Sequence, residues 1–271
     1  MSDSLIGIIP AAGSGIRARP YTYELHKGMF LIDGTPNIGR HIELMRDEMG
    51  IEEIVIVLGY MGQTIRDHFG DGAAHQIRLT YVENQHLDKG WAWSVLLAKP
   101  YMAGRHGMVI LADEFYLDTN LGSITDFDYQ SYSAVVPVKP VDDPALIKKN
   151  FSVERNGDRI VRLVENPVST PNDLLGMAAF LIRPAVMAEL ESAFENGRSS
   201  LDFVTFLDDL IRAGHDIGAF DLTGDYINLN DVVSMEAAQD AAIRSRLQRE
   251  GDKQEIDLRT ESEPFLKTWS S

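Results

Sequence analysis

Short, continuously apolar runs punctuate the first half of the chain. Leu5 to Pro10 (LIGIIP), Glu53 to Gly59 (EIVIVLG), Gln76 to Glu83 (QIRLTYVE), Met108 to Ala112 (MVILA) and Ser133 to Val138 (SAVVPV) have the length and content of strands buried on both faces. Between them the period lengthens. Pro36 to Met49 carries Ile38, Ile42, Met45 and Met49 at spacings of 4, 3 and 4, and Trp91 to Tyr101 is amphipathic in the same way, so both are predicted helices. The alternation of strand and helix predicts an α/β fold: a mostly parallel sheet with helices on both faces and ligands at the carboxyl ends of the strands.

Beyond about residue 150 the pattern changes. Asn156-Gly157 lies between two alternating runs within Phe151 to Val164, a hairpin signal that adds an antiparallel portion to the parallel core. Leu174 to Ile182 reads as a strand, Pro184 to Asn196 and Leu201 to Ala213 as helices, Ile217 to Leu222 as a last strand and Asp231 to Arg249 as a last helix. No internal repeat or linker is visible, and residues 251–271 are set apart from residues 1–250 as a charged C-terminal tail.

The composition narrows the function classes. With 271 residues, 25 Lys+Arg and 41 Asp+Glu, the formal charge is -16. That excludes gripping nucleic acid or an anionic membrane with the whole surface, while leaving room for a small basic site. Zero cysteines exclude disulfides, thiolate zinc and Cys nucleophiles. No apolar run approaches a membrane span of roughly 20 residues, and Met1-Ser-Asp-Ser lacks a cationic leader, so a cytoplasmic enzyme is expected. The seven histidines show no spacing that converges on one helix face, and no Gly-x-Ser-x-Gly elbow is present, which argues against zinc and serine hydrolase chemistry.

Chemistry starts directly after the first run, at Ala11-Ala12-Gly13-Ser14-Gly15-Ile16-Arg17-Ala18-Arg19-Pro20. Gly13 and Gly15 let backbone N–H groups come close to a polyphosphate, and Arg17 can set a delocalised cation against the same oxygens. A dinucleotide fingerprint would need a third glycine near Ala18 and a Walker A loop would need Gly-Lys-Ser/Thr; neither is present. With Pro20, Thr22 and Lys27 following, the segment resembles the signature of the sugar-1-phosphate nucleotidyltransferases, G-x-G-T-R-x-x-P-x-T and then a lysine. Ile16 stands where that family usually has Thr, and His26 where it usually has Pro.

Further blocks follow in the family's order. Gln85-His-Leu-Asp-Lys-Gly90 is similar to its base-recognition segment, Met108 to Asp113 ends an apolar run in the carboxylate that holds its metal, and Glu165-Asn166-Pro167 with Gly176 resembles its acceptor-binding Glu-Lys-Pro and downstream Gly. Asn166 replaces the usual lysine, and Glu114 follows Asp113 where Asn is usual. Asn228, with Asn230 as the alternative, stands where the second metal ligand is expected. Trp91 and Trp93 either stack near the nucleotide or fill the core.

The resemblance, spanning roughly residues 5 to 240, implies a Rossmann-like three-layer sandwich with an antiparallel sugar-binding addition. It implies Mg²⁺ held by Asp113 and Asn228, a triphosphate bound by Ala11, Ala12, Gly13 and Gly15, and a base read by Gln85 and Gly90. Arg17 and Lys27 take the catalytic roles, and Glu165, Asn166 and Gly176 bind the acceptor. The implied reaction joins a nucleoside monophosphate from an NTP, with UTP or dTTP favoured, to a sugar 1-phosphate with release of pyrophosphate. Three alternatives stay open: cytidylyl or guanylyl transfer to a phosphorylated acceptor such as phosphocholine or an unusual sugar phosphate, a nucleotide-sugar glycosyltransferase, and a non-catalytic nucleotide-binding homologue. Assembly as a homo-oligomer is common in the family.

Overall fold

The five apolar runs become strands of one ten-stranded sheet in the computed structural model, which describes residues 4–170 and 172–266, with side chains as far as residue 251. In chain order the first half holds β1 (Leu5–Ala11), the two-residue strands β2 (Leu31–Ile32) and β3 (Thr35–Pro36), α1 (Asn37–Asp47), β4 (Glu53–Leu58), α2 (Gly62–Phe69) and β5 (Arg78–Glu83). The short helices α3 (Trp91–Leu96) and α4 (Lys99–Met102) lead to β6 (His106–Ile110), β7 (Glu114–Leu117) and β8 (Ala134–Pro140). The second half holds α5 (Pro144–Lys148), β9 (Phe151–Asn156), β10 (Arg159–Glu165), β11 (Leu174–Gly176), β12 (Ala179–Ile182), α6 (Pro184–Glu195), α7 (Phe203–Arg212), β13 (Ile217–Asp221), β14 (Asp225–Asn228) and α8 (Val232–Leu266).

Parallel pairing joins β5, β4, β1 and β6, with β1 at the centre between β4 and β6. The strand faces explain the apolar runs. Ile8, Val55 and Val57 pack into a core on the side of α3, α6 and α7, while their neighbours Ile9, Ile54 and Ile56 pack into a second core with Ile38, Ile42 and Met45 of α1. Residues buried on alternate faces leave no polar stripe, which is why these strands read as unbroken apolar runs. Beyond β6 the sheet turns mixed, with β12 antiparallel to β6 and β8, and β13 parallel to β8. The pairings of β8 with β11, β11 with β9, β9 with β10, β10 with β13 and β13 with β8 close a ring at this end.

Several elements differ from the sequence expectation. The helix predicted over Trp91–Tyr101 divides into α3 and α4, because Pro100 lacks the N–H that an unbroken helix needs. The strand predicted over Leu174–Ile182 divides into β11 and β12, with Met177-Ala178 between them, so that its halves pair with different stretches of β8. The last helix continues past Arg249 to Leu266, so the described backbone has no break at residue 250; residues 267–271 of the expected tail lie outside the described residues. Strands β7 and β14 were not expected. They form an antiparallel ribbon apart from the main sheet, pairing Glu114 with Asn228, and Phe115 and Leu117 of β7 pack with Met235, Ala238 and Ala242 of α8 in a third apolar cluster. No helix among the described residues is long and apolar enough to cross a membrane.

Candidate active site

At the carboxyl ends of β1 and β6 lies a pocket of about 220 Å³. Ala11, Ala12, Gly13, Gly15, Lys27 and Asp113 line it together with His26, Trp91, Ser94 and Leu111, so six of the expected site residues converge on one opening. The loop after β1 is folded back on the segment that follows. Gly15, in the left-handed region at φ 59°, places its carbonyl to accept from the Thr22 hydroxyl at 2.8 Å and from the Ala18 N–H at 3.0 Å. Thr22 is buried, so this threonine serves loop shape. His26 ties the same loop to the lysine: its Nδ1 accepts from the Gly28 N–H at 3.0 Å and its ring contacts the Ala11 backbone. Burial pushes its pKa down to about 4, so the imidazole is neutral at physiological pH.

Lys27 and Asp113 form an ion pair at the pocket floor. Burial pushes the Asp113 carboxyl upward, but the Lys27 ammonium beside it prevails and holds it below the usual carboxylate value. The backbone around Asp113 is clamped by α1. Asn37 donates through Nδ2 to the carbonyls of Ala112 at 2.9 Å and Glu114 at 2.8 Å, and His41 Nε2 donates to the Glu114 carbonyl at 2.6 Å. From the other side, the Leu229 N–H donates to the Asp113 carbonyl at 2.8 Å, bringing the end of β14 against it. Glu114 is fully buried, accepts from Asn228 Nδ2 at 3.0 Å, and is pushed up to about 8 by burial first and by Asp113 second.

Asn228 makes a second bond through Nδ2 to Asn150 Oδ1 at 2.8 Å, while its own Oδ1 is buried and has no hydrogen-bond partner. Asn230 differs: its Oδ1 accepts from Arg17 Nη2 at 2.7 Å. Arg17 is therefore exposed and turned to the β14–α8 junction, outside the residues that line the small pocket. A second cavity of about 490 Å³ opens at that junction, lined by Lys149, Asn150, Tyr226, Asn228, Asn230 and Asp231 among others. The described residues contain no cluster of three or more His, Cys, Asp or Glu fit to hold a metal. The expected ligands offer the carboxylate of Asp113 and the bare amide oxygen of Asn228. A hard cation that completes its shell with phosphate oxygens and water suits that donor set.

Of the remaining expected residues, Gln85, Gly90, Glu165, Asn166 and Gly176 line neither cavity. Gln85 is exposed and makes no hydrogen bond with a described residue, and its turn is fixed by Asn84, which donates to Ser94 Oγ at 2.9 Å and accepts from the His86 N–H at 2.8 Å. Gly90, at φ 80°, starts α3 where the chain crosses Leu201, and a Cβ there would strike the Leu201 carbonyl; neither Gln85 nor Gly90 lines the small pocket. Trp91 lines the pocket and also fills the core, packing on Phe203 and Phe180 at 5.3 and 5.9 Å between ring centroids, whereas Trp93 packs on Phe194.

Glu165, at the end of β10, accepts from Asn166 Nδ2 at 2.8 Å and is pushed up to about 8 by burial and then by Asp202, whose carboxylate accepts from Trp91 Nε1. Gly176 is buried on β11 with the Phe151 ring where a Cβ would go, so packing alone accounts for the glycine. Sequence reasoning passed over Asn37, Asn84, Asp202 and Lys149, and noted His26 and Glu114 only as departures. The one signal for them is a polar side chain adjoining an apolar run or a motif residue.

The chain is similar to a UTP–glucose-1-phosphate uridylyltransferase of Haloferax volcanii, with 27% identity over 218 residues that cover 80% of this chain and 88% of that protein. It is also similar to a glucose-1-phosphate thymidylyltransferase of Streptomyces griseus, with 24% identity over 230 residues that cover 84% of this chain and 63% of that protein. Among solved structures, a UDP-glucose pyrophosphorylase complexed with UDP-glucose shares the fold at a TM-score of 0.75, with 22% identity over 89% of this chain and 99% of that one. The sequence model described as nucleotidyl transferase matches residues 6–244, a span that runs from β1 into α8 and takes in the glycine loop after β1, Asp113 and Asn228. On that match the chain belongs to the nucleotidyl transferase family.

Proposed function

We propose that the chain transfers a nucleoside monophosphate from UTP or dTTP to a sugar 1-phosphate, releasing pyrophosphate and forming a nucleoside diphosphate sugar. The observation that carries this reading is the convergence of the loop after β1 with Lys27 and Asp113 on one pocket. The base preference rests on the two relatives, which are named for uridylyl and thymidylyl transfer. The acceptor's phosphate oxygen attacks the α-phosphorus in line, and pyrophosphate leaves. A phosphate monoester loses its second proton near pH 6, so no side chain is needed as general base. The chain's own work is alignment and charge: the backbone of residues 11–15 cradles the triphosphate, and Lys27 at the pocket, joined by Arg17 once it leaves Asn230, stabilises the charge that builds on the leaving pyrophosphate.

Asp113 and Asn228 would hold Mg²⁺, with Asn228 preferred to Asn230 because Arg17 already occupies the Asn230 oxygen. The ion would supply charge neutralisation at the reacting phosphates.

A pyrophosphate-release assay tests the reading. UTP, dTTP, CTP, GTP and ATP are each crossed with sugar 1-phosphates and phosphocholine, in Mg²⁺ and in EDTA. Metal-dependent release with UTP or dTTP and a sugar 1-phosphate is the expected result, and silence with every pair would favour a non-catalytic nucleotide binder. One observation supports a second reading, an acceptor that carries a positive group: Asp202, which accepts from Trp91 Nε1, adds to burial in pushing the Glu165 carboxyl up, and a cationic group beside these two acids would favour their ionised forms. Release with phosphocholine or an amino sugar phosphate, and not with glucose 1-phosphate, would select it.

A further inference from the structure

The acceptor in the proposed reaction is a phosphate dianion that must approach a polyphosphate on a protein of formal charge -16. Like charges at that separation need cations on the acceptor's side as well as the donor's. Lys27 is committed to Asp113, and Arg17 to Asn230. Position 166, where the resemblance leads one to expect a lysine, is an asparagine whose side chain bonds Glu165.

A cation lies next in sequence to the residue that the 166 turn touches. The Asn166 N–H donates to the Asn150 carbonyl at 2.7 Å, which sets the Glu165-Asn166 turn against the segment that joins α5 to β9. Lys149 precedes Asn150 in that segment and lines the 490 Å³ cavity with Asn150, Asn228 and Asn230. The Lys149 ammonium makes no hydrogen bond or ion pair with any described residue, although ion pairs engage many of the chain's other cations. Asn150 fixes this segment in place, accepting from Asn228 Nδ2 through Oδ1 at 2.8 Å and donating through Nδ2 to the Leu146 carbonyl at 2.9 Å. The same residue thus connects the candidate metal ligand, the 166 turn and Lys149. Both Lys149 and Arg17 act on Asp231, whose carboxyl lies below its usual value, first through its bonds with Ser234 and then through these two cations, so the two positive groups face a common region.

We propose that Lys149 seats the phosphate of the acceptor, supplying from the α5–β9 connection the positive charge that position 166 does not carry. The proposal rests on the nucleotidyl-transfer reading and assigns a residue to it. A charge-assisted contact of this kind is worth roughly one to two orders of magnitude in affinity. Lys148, next in sequence and equally charged, does not line the cavity and serves as the control.

The test compares the wild-type chain with Lys149→Ala, Lys148→Ala and the double variant Lys149→Ala/Asn166→Lys, each first checked for an unchanged melting temperature. Pyrophosphate release is measured with UTP and glucose 1-phosphate, and the binding of glucose 1-phosphate and of inorganic phosphate is measured separately by calorimetry. Lys149→Ala should raise KM for glucose 1-phosphate tenfold or more while moving KM for UTP less than about twofold. It should weaken phosphate binding in parallel; Lys148→Ala should change neither, and the double variant should recover most of the loss. An unchanged acceptor KM, an equal rise for UTP, or a wild-type chain that binds neither glucose 1-phosphate nor inorganic phosphate overturns the assignment. If the wild type releases no pyrophosphate yet loses phosphate binding on Lys149→Ala, the nucleotidyl-transfer reading fails while the seat stands.

Discussion

Asp113 is positioned mainly by its backbone: Asn37 and His41 grip the carbonyls on either side of it, and Leu229 grips its own. Side-chain chemistry and scaffold therefore separate cleanly under mutation. Asp113→Ala and Lys27→Ala should each lower turnover by about 10²–10³ with the circular dichroism spectrum retained, and steady-state rates near wild type in both would remove these residues from the chemistry. The buried imidazoles set an acid limit on stability. His26 and His41 are both pushed down by burial from 6.5 to about 4, so the unfolded chain takes up protons that the folded chain refuses. Their contribution is complete above about pH 6.5 and lost as the pH falls towards 4. Melting temperature should decline through that window, and His41→Gln should flatten the decline; an equally steep curve for the variant would place the loss elsewhere. At this scale the convergence of Gly13, Gly15, Lys27 and Asp113 was legible because the motif holds particular side chains at fixed spacing. Asn37 was not, because a clamp on two carbonyls can be built from any donor that the fold brings near.

Elements carry the residues whose identity is dictated by packing. Gly176 was expected to touch the acceptor, yet its missing Cβ makes room for the Phe151 ring across the β11–β9 pair. Gly176→Ala should destabilise the chain by about 1–3 kcal/mol in urea unfolding, while KM for the acceptor in the surviving folded fraction stays put. Deleting core atoms from α1 should act the same way and more strongly, with Ile42→Ala costing about 2–5 kcal/mol by the same measurement, since Ile42 is wholly buried between the helix and the sheet. The apolar runs gave the parallel strands away because both faces are covered. The β7–β14 ribbon stayed hidden because its strands are four residues each and their partners lie more than a hundred positions apart, beyond the reach of any local pattern.

Taken as a whole, the molecule sets a parallel sheet that presents the glycine loop beside a mixed, ring-closed end that presents Glu165 and Lys149, and the separate β7–β14 ribbon packs on α8. A chain cut after residue 224 should be inactive and poorly soluble, because it loses Asn228 and uncovers Phe115 and Leu117; gel filtration and pyrophosphate release would show this, and an active monomer would refute it. The same ribbon fixes a timetable. β1 precedes β14 by more than two hundred residues, so Asn228 pairs opposite Glu114 only once a segment far downstream of the β1 loop has been made. A nascent chain thus carries its glycine loop long before it holds Asn228, and the two candidate oxygen ligands, Asp113 and Asn228, meet only after every strand of the ten-stranded sheet has been made.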